Sequence, residues 1–371
     1  MISYFNKEGG RVKSEFWKDK TVLVTGHTGF KGSWLCIYLL ELGAKVIGYS
    51  LGSKTKKDNY VLSELEKKIV DIRGDIRDID NLESVFKEYN PDIIFHLAAQ
   101  PLVLDSYIRP IETYSINVMG TLNVLQCIRN MEKKAVGIII TTDKCYENKE
   151  QIWGYRENDT LGGYDMYSSS KACCELLINS FRNSFFNEEN YHIHKKEISS
   201  VRAGNVIGGG DWSSNRIIPD CIKAFESHTQ VMIRNPYSVR PWQHVIEPID
   251  GYIFLAEKMY ENPLEYSGAY NFGPELNEII DVENIAKRIS NLLDREDLIR
   301  IEKVNLFHEG NLLFLDISKS KFKLGWNPVL SIDQALNFTV DWYINYNQKN
   351  SYDICKNQIK EYMNLKNTNT V

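Results

Sequence analysis

Residues 21–43, TVLVTGHTGFKGSWLCIYLLELG, decide the fold. Thr21–Thr25 is a short apolar run of strand type, and the stretch after Gly32 carries apolar residues at helical spacing up to a stop at Gly43. Between them lies Gly26-His27-Thr28-Gly29-Phe30-Lys31-Gly32. A pyrophosphate meets the backbone N–H groups of a helix N-terminus only where no side chain obstructs it, so a glycine turn joining strand to helix points to a dinucleotide. The spacing GxxGxxG differs by one residue from GxGxxG, and a tight turn with close helix packing would use the same glycines. Its place between a first strand and a first helix favours the dinucleotide, with Gly26, Thr28, Gly29, Phe30, Lys31 and Gly32 as candidate cofactor-binding residues.

Outward from this unit, strand and helix signals alternate: KVIGYSL (45–51), IVDIRGDI (69–76), a helix-like DNLESVFKEY, DIIFHLAA (92–99), a helix over 114–130 and VGIIITTD (136–143). Short continuous apolar runs suit strands buried on both faces, and their alternation with helices predicts an α/β fold built on a doubly wound parallel Rossmann sheet. Beyond residue 205 the pattern loosens, which predicts a smaller, mixed C-terminal substrate lobe. The expected division is a dinucleotide-binding domain over 17–205 with a later contribution from 245–262, a lobe over 206–346, and terminal extensions at 1–16 and 347–371, the last partly mobile.

Composition bounds the function. The chain has 371 residues, 43% of them apolar, so a large core is available, and 44 basic against 49 acidic residues give a net charge of −5. That balance gives no general attraction for nucleic acid. No run approaches the roughly 20 apolar residues of a membrane span, and the first residues lack a signal-peptide core, so a cytoplasmic protein is expected. Seven cysteines without paired zinc-type spacing read as reduced packing thiols. His192 and His194 read as a solvated loop, and no metal site is expected.

A phenol and an ammonium four residues apart share one face of a helix, and the ammonium favours phenolate, which makes the tyrosine a base. Four such pairs occur: Tyr167/Lys171, Tyr191/Lys195, Tyr352/Lys356 and Tyr362/Lys366. Spacing does not choose among them. Context selects Tyr167/Lys171, because it follows closely on VGIIITTD, and open parallel sheets bind ligands beyond the carboxyl ends of their strands. The other three read as solvated faces. At that strand end stand Thr141, Thr142, Asp143 and Lys144, where a hydroxyl can orient a substrate oxygen and a desolvated Asp143 can donate a proton. A polar cap on a buried strand is the competing reading. After the third strand, Asp75 and Ile76 are placed where a side chain and a backbone amide can hold an adenine, with a plain polar strand end as the competing reading. The usual carboxylate ending the second strand is missing from Gly48-Tyr49-Ser50-Leu51, and Lys54, Lys56 and Lys57 follow, which leaves NAD against NADP open.

These strings, with HLAAQPLV, SINVMGT, TTDKCYENKE, WGYRENDTLGGYDMYSSSK, RAGNVIGGGDW and IRNPYSVRPWQHV, resemble the extended short-chain dehydrogenase/reductases, most closely their CDP-D-glucose 4,6-dehydratase branch, over about residues 17–345. The resemblance implies a CDP-sugar substrate and NAD held through the glycine turn, Asp75, Ile76, Leu97, Ala98 and Ala99. It implies Tyr167 as the base at the C4 hydroxyl, Lys171 as its partner and a ribose ligand, Thr142 as the orienting hydroxyl, and Asp143 as the acid that expels the C6 hydroxyl as water. Lys144 stands where wider relatives carry a glutamate as C5 base; a lysine acts so only when neutral, so base and non-base roles both stay open. Gln100, Asn205, Arg216, Arg234, Arg240 and His244 are the implied substrate-binding residues, with guanidinium groups suited to diphosphate oxygens. Trp212, Trp242 and His244 could equally be core. A homodimer or dimer of dimers, paired through helices near 114–130 and 164–186, is the implied assembly. A 4-epimerase or reductase would need Tyr167 and Lys171 but not Asp143, and a silent binding protein would need neither.

Overall fold

A computed structural model describes residues 11–368 except 234, 279 and 302–311. Its centre is a seven-stranded sheet of β1 (Thr21–Thr25), β2 (Lys45–Ser50), β3 (Val70–Arg73), β4 (Ile93–His96), β5 (Ala135–Ile140), β6 (Lys196–Ala203) and, later in the chain, β11 (Gly268–Phe272). The order is β11-β6-β5-β4-β1-β2-β3, and every neighbouring pair is parallel. Alternation along each strand supplies two cores. Val22 and Val24 face one and Leu23 the other, and Ile93 and Phe95 oppose Ile94 in the same way. Helices Ile79–Tyr89, Gly120–Asn130 and Met166–Ser184 cover the second face. Phe30–Glu41, Ile246–Glu261 and Ser351–Thr368 cover the first, whose core continues into the lobe. The chain leaves β1 toward β2 and returns through β3 to β4 on β1's other side, so the order reverses beside the carboxyl end of β1.

The lobe carries short pairs only: β7 (Val206–Ile207) with β10 (Gln243–His244), β8 (Val231–Ile233) with β13 (Ile299–Ile301), and β9 (Val239–Arg240) with β12 (Ile280–Asp281). Helices Ile217–Glu226 and Val282–Leu292 pack beside them. The first unit takes its seventh strand from 268–272, later than the 245–262 contribution read from sequence.

The tail corrects another expectation. Residues 351–368 form a helix that buries Ile354, Cys355, Ile359 and Tyr362 against the helix Phe30–Glu41 and its surroundings. Tyr362 and Tyr352 are accordingly not on solvated faces: Tyr362 donates to Glu247 Oε2 at 3.0 Å, and Tyr352 to Glu41 Oε1 at 2.9 Å. Among the described residues no helix is long and apolar enough to cross a membrane, and no group of three or more His, Cys, Asp and Glu side chains could hold a metal.

Candidate active site

A cavity of about 960 Å³ runs across the carboxyl ends of the strands and into the lobe. At one end, Gly26 adopts φ +77°, and a Cβ there would lie 2.7 Å from Ala98 N. A Cβ on Gly32 would lie 2.2 Å from Gly26 O, so the turn closes onto the helix only with glycine at both places. Thr28 Oγ1 bonds Ser50 Oγ at 2.9 Å and Leu51 O at 3.0 Å, tying the turn to the end of β2. Phe30, Lys31, Asp75, Ile76, Leu97, Ala98 and Ala99 line the same space. Asp75 is tied to Arg77 at 2.6 Å, which holds its carboxyl below the ordinary value. Of the three lysines after β2, Lys54 lines the cavity, while Lys57 pairs with Glu226 at 2.7 Å and lies over the Trp212 ring.

The reacting groups meet at the end of β5. Asp165 caps the helix Met166–Ser184 by accepting from Ser168 N, and this sets Tyr167 in the first turn against Thr142, with Lys171 one turn further on. Burial pushes the Tyr167 phenol up to about 12, opposed by its hydrogen bond with Thr142. Lys171, its own pKa lowered by burial, donates instead to Ile140 O at 3.1 Å and so fixes the strand end. Asp143 is 2% exposed. Its Oδ1 accepts from Thr142 Oγ1 at 3.0 Å, whereas Oδ2 is buried with no hydrogen-bond partner among the described residues. A Cβ on Gly204 would lie 1.9 Å from that Oδ2, so the next strand's end must be glycine to admit the carboxylate. Lys144 lines the cavity, half-buried.

Lys31, read from the motif as a cofactor-binding residue, also reaches the reacting groups, and beneath them lies an ion pair that escapes motif reading. Lys31 lies among Arg216, Asp143 and Lys171, and burial together with the Arg216 charge holds its ammonium down to about 8. Beneath the site, Glu175 and Arg202 form a buried ion pair at 2.7 Å. Glu175 accepts from Thr141 Oγ1 at 2.5 Å and Ser200 Oγ at 2.7 Å, and Arg202 donates to Tyr146 Oη at 2.7 Å. Glu175 lies one helical turn past Lys171, on the helix face that the Tyr/Lys spacing defines.

The substrate candidates divide. Asn205, at φ +38°, Arg216, Arg240, Trp212 and Trp242 line the cavity. Arg216 pairs with Asp211 Oδ2 at 2.8 Å; burial works against its charge, and Asp211 outweighs burial to hold its pKa above the ordinary value. His244 is corrected: it is fully buried between Trp34 and Phe338, and burial pulls its imidazole down to about 3, which makes it a neutral core residue. Gln100 is also corrected, because its side chain turns to Leu102 and Thr113 and lies outside the cavity wall. Arg234 lies outside the described residues. His96, at the end of β4, packs between Thr25 and Thr121.

A glycine cradle at a switch point, a Tyr/Lys pair on the facing helix and a lobe closing over both define a dehydrogenase-type enzyme of the extended short-chain class. A family profile described as GDP-mannose 4,6 dehydratase matches residues 23–339, and the chain belongs to that family. It is 46% identical over 353 residues to a CDP-glucose 4,6-dehydratase of Salmonella typhimurium, covering 95% of this chain and 98% of that one. A dTDP-glucose 4,6-dehydratase of Xanthomonas campestris is 25% identical, with 87% and 93% covered. The structure of a dTDP-glucose 4,6-dehydratase from Bacillus anthracis in complex with NAD superposes with a TM-score of 0.73 at 20% identity, covering 91% of this chain and 99% of that one, and shows the shared fold.

Proposed function

We propose that this protein dehydrates CDP-D-glucose to CDP-4-keto-6-deoxy-D-glucose with NAD held in its glycine cradle. The observation that carries the reading is the buried Asp143 carboxyl, one oxygen unpartnered, beside the Thr142–Tyr167 pair. An epimerase has no use for it. The 46% identity to a CDP-glucose 4,6-dehydratase supports the same reading.

The space that Gly26 and Gly32 keep open fits a pyrophosphate at the helix N-terminus, with Thr28, Asp75, Ile76 and Leu97 to Ala99 along the rest of the cofactor. NAD held by these residues would supply the hydride acceptor for sugar C4 and the hydride donor for C6. Tyr167, as phenolate, takes the C4 hydroxyl proton and becomes neutral phenol while Thr142 holds that oxygen, and the Lys171 ammonium favours the phenolate that the step requires. The 4-ketone acidifies the C5 proton, and Asp143 protonates the departing C6 oxygen. Lys144 faces the same cavity, as the C5 base or as a substrate ligand. Asn205, Arg216 and Arg240 serve the nucleotide half. With a net charge of −5, the chain as a whole mildly repels an anionic substrate, so binding depends on these local groups.

Exposed Met119, Leu176 and Ile111 on the helical face at 110–130 and 166–184 support pairing of two copies there, in a protein working in the cytoplasm without nucleic acid. Light scattering on the wild type and Leu176→Glu tests that pairing. For the activity, purified protein mixed with CDP-glucose should yield a 4-keto-6-deoxy sugar, read by its alkali-induced absorbance. No such product, with another nucleotide sugar turned over instead, would overturn the reading.

A further inference from the structure

The cavity continues past the reacting groups. Its far end, across Tyr167 and Asp143 from the glycine turn, is bounded by the first turns of the helix Ile217–Glu226, by β8 and by Val282. A sugar nucleotide with its sugar at Tyr167 and its diphosphate at Arg216 must extend its base into this end. Ile217, Ile218, Pro219, Val231, Ile233 and Val282 make most of the wall apolar, as the faces of a planar ring require, and Asn235 and Ser238 line it just after β8. One carboxylate stands among them: Asp220, half-buried, in the first turns of the helix that begins just after Arg216. The other described carboxylates of the cavity stand elsewhere. Asp58 and Asp75 belong to the cofactor end, Asp105 to the helix after β4, Asp143 to the reacting centre, and Asp211 to its pair with Arg216.

Resting on the CDP-sugar reading, we propose that Asp220 is the residue that reads the base, accepting a hydrogen bond from the 4-amino group of cytosine. At that ring position cytosine presents a donor, whereas uracil and thymine present a carbonyl acceptor. A carboxylate is acceptor-only, so it bonds the first and repels the other two. The apolar walls cannot make this distinction, since the three rings offer them nearly the same faces. A polar group in a mostly apolar slot can, because a mismatched base leaves it facing another acceptor. Lys223 Nζ lies 3.9 Å from Asp220 Oδ1, beyond hydrogen-bond range, and contributes a general positive field that does not separate one pyrimidine from another.

The test compares inhibition by CMP and UMP, and kcat/KM for CDP-glucose and UDP-glucose, in the wild type, Asp220→Asn and Asp220→Leu. The wild type should prefer CMP. An asparagine amide can turn to present either a donor or an acceptor, so Asp220→Asn should lower the CMP-to-UMP preference by about 10-fold or more, in line with the worth of one base-reading contact. Asp220→Leu should lose it as well, by weakening CMP without helping UMP. In the substrate assay, KM for CDP-glucose should rise further than kcat falls, a split that general loss of structure would not produce. A preference unchanged in both variants, or a wild type indifferent between CMP and UMP, overturns the assignment. Failure of the wild type to turn over CDP-glucose would overturn the activity reading instead, and the CMP and UMP comparison would still judge Asp220.

Discussion

Asp143 shows how much chemistry one position carries. Its carboxylate is excluded from water, leans on Thr142 through one oxygen, and keeps the other for a reacting partner. Asp143→Asn keeps the shape and the Thr142 contact but removes the acid. C4 oxidation should survive while elimination stalls, so enzyme-bound reduced cofactor should accumulate and turnover fall by about 10²- to 10⁴-fold. Unaltered turnover, without the absorbance of reduced cofactor, would remove Asp143 from the acid role. Gly204 offers a second approach to the same group. A methyl there would lie 1.9 Å from Asp143 Oδ2, so Gly204→Ala must push the carboxylate aside although no catalytic atom has changed. Turnover should drop and reduced cofactor should again build up, more weakly than in Asp143→Asn, because the acid is displaced and not removed. Wild-type kinetics in Gly204→Ala would show that the placement of Asp143 is loose.

Elements hold these residues in place, and they were unequally legible. The central strands are continuous apolar runs, and each writes its two-faced burial into alternating residues such as Val22, Leu23 and Val24. The glycine turn was readable because local geometry demands glycine at those spacings, and Tyr167/Lys171 because it follows closely on β5, since the spacing itself occurs four times in the chain. The helix 351–368 was not. Its buried residues are diluted by Asn and Lys, and only the face it docks on makes them a stripe. His244 was misplaced for a related reason: a histidine beside Trp242 reads alike as ligand or core until Trp34 and Phe338 arrive from distant parts of the chain. The Glu175–Arg202 pair likewise joins a helix to β6 across many intervening residues. Burial alone would raise the Glu175 carboxyl, but Arg202 overrides it and holds the group ionised below the ordinary value. Glu175→Gln therefore leaves a guanidinium buried without its counter-charge. A loss of about 3–5 kcal/mol in denaturant unfolding is expected, with a lowered kcat because Thr141 loses its anchor beside Thr142. A loss within experimental error would make the pair ornamental.

For the whole molecule, the helix Ile246–Glu261 acts as a spine to which both ends of the described chain are fastened. Glu257 accepts from Lys13 N at 2.9 Å and Trp17 Nε1 at 3.2 Å, while Glu247 accepts from Leu330 N at 2.6 Å and from Tyr362 Oη at 3.0 Å. Both carboxyls are almost fully buried, and burial lifts each from the ordinary 4.5 to about 7. The folded chain therefore keeps two protons that the unfolded chain releases as pH rises through the ordinary carboxyl range. Their stabilising contribution is complete below 4.5, shrinks as pH climbs toward 7, and is gone above it. A shift of this size corresponds to roughly 3 kcal/mol per group at most. Carboxylates held below their ordinary value, such as Glu175, act in the opposite sense, so the wild-type pH profile alone does not isolate the effect. Glu247→Gln does, because glutamine copies the shape of the protonated acid and cannot ionise. The difference in unfolding midpoint, variant minus wild type, should shift in the variant's favour between about pH 5 and about pH 8. A difference that stays constant over that range would mean that Glu247 titrates alike in the folded and unfolded chain, and that its hydrogen bonds to Leu330 and Tyr362 balance its burial.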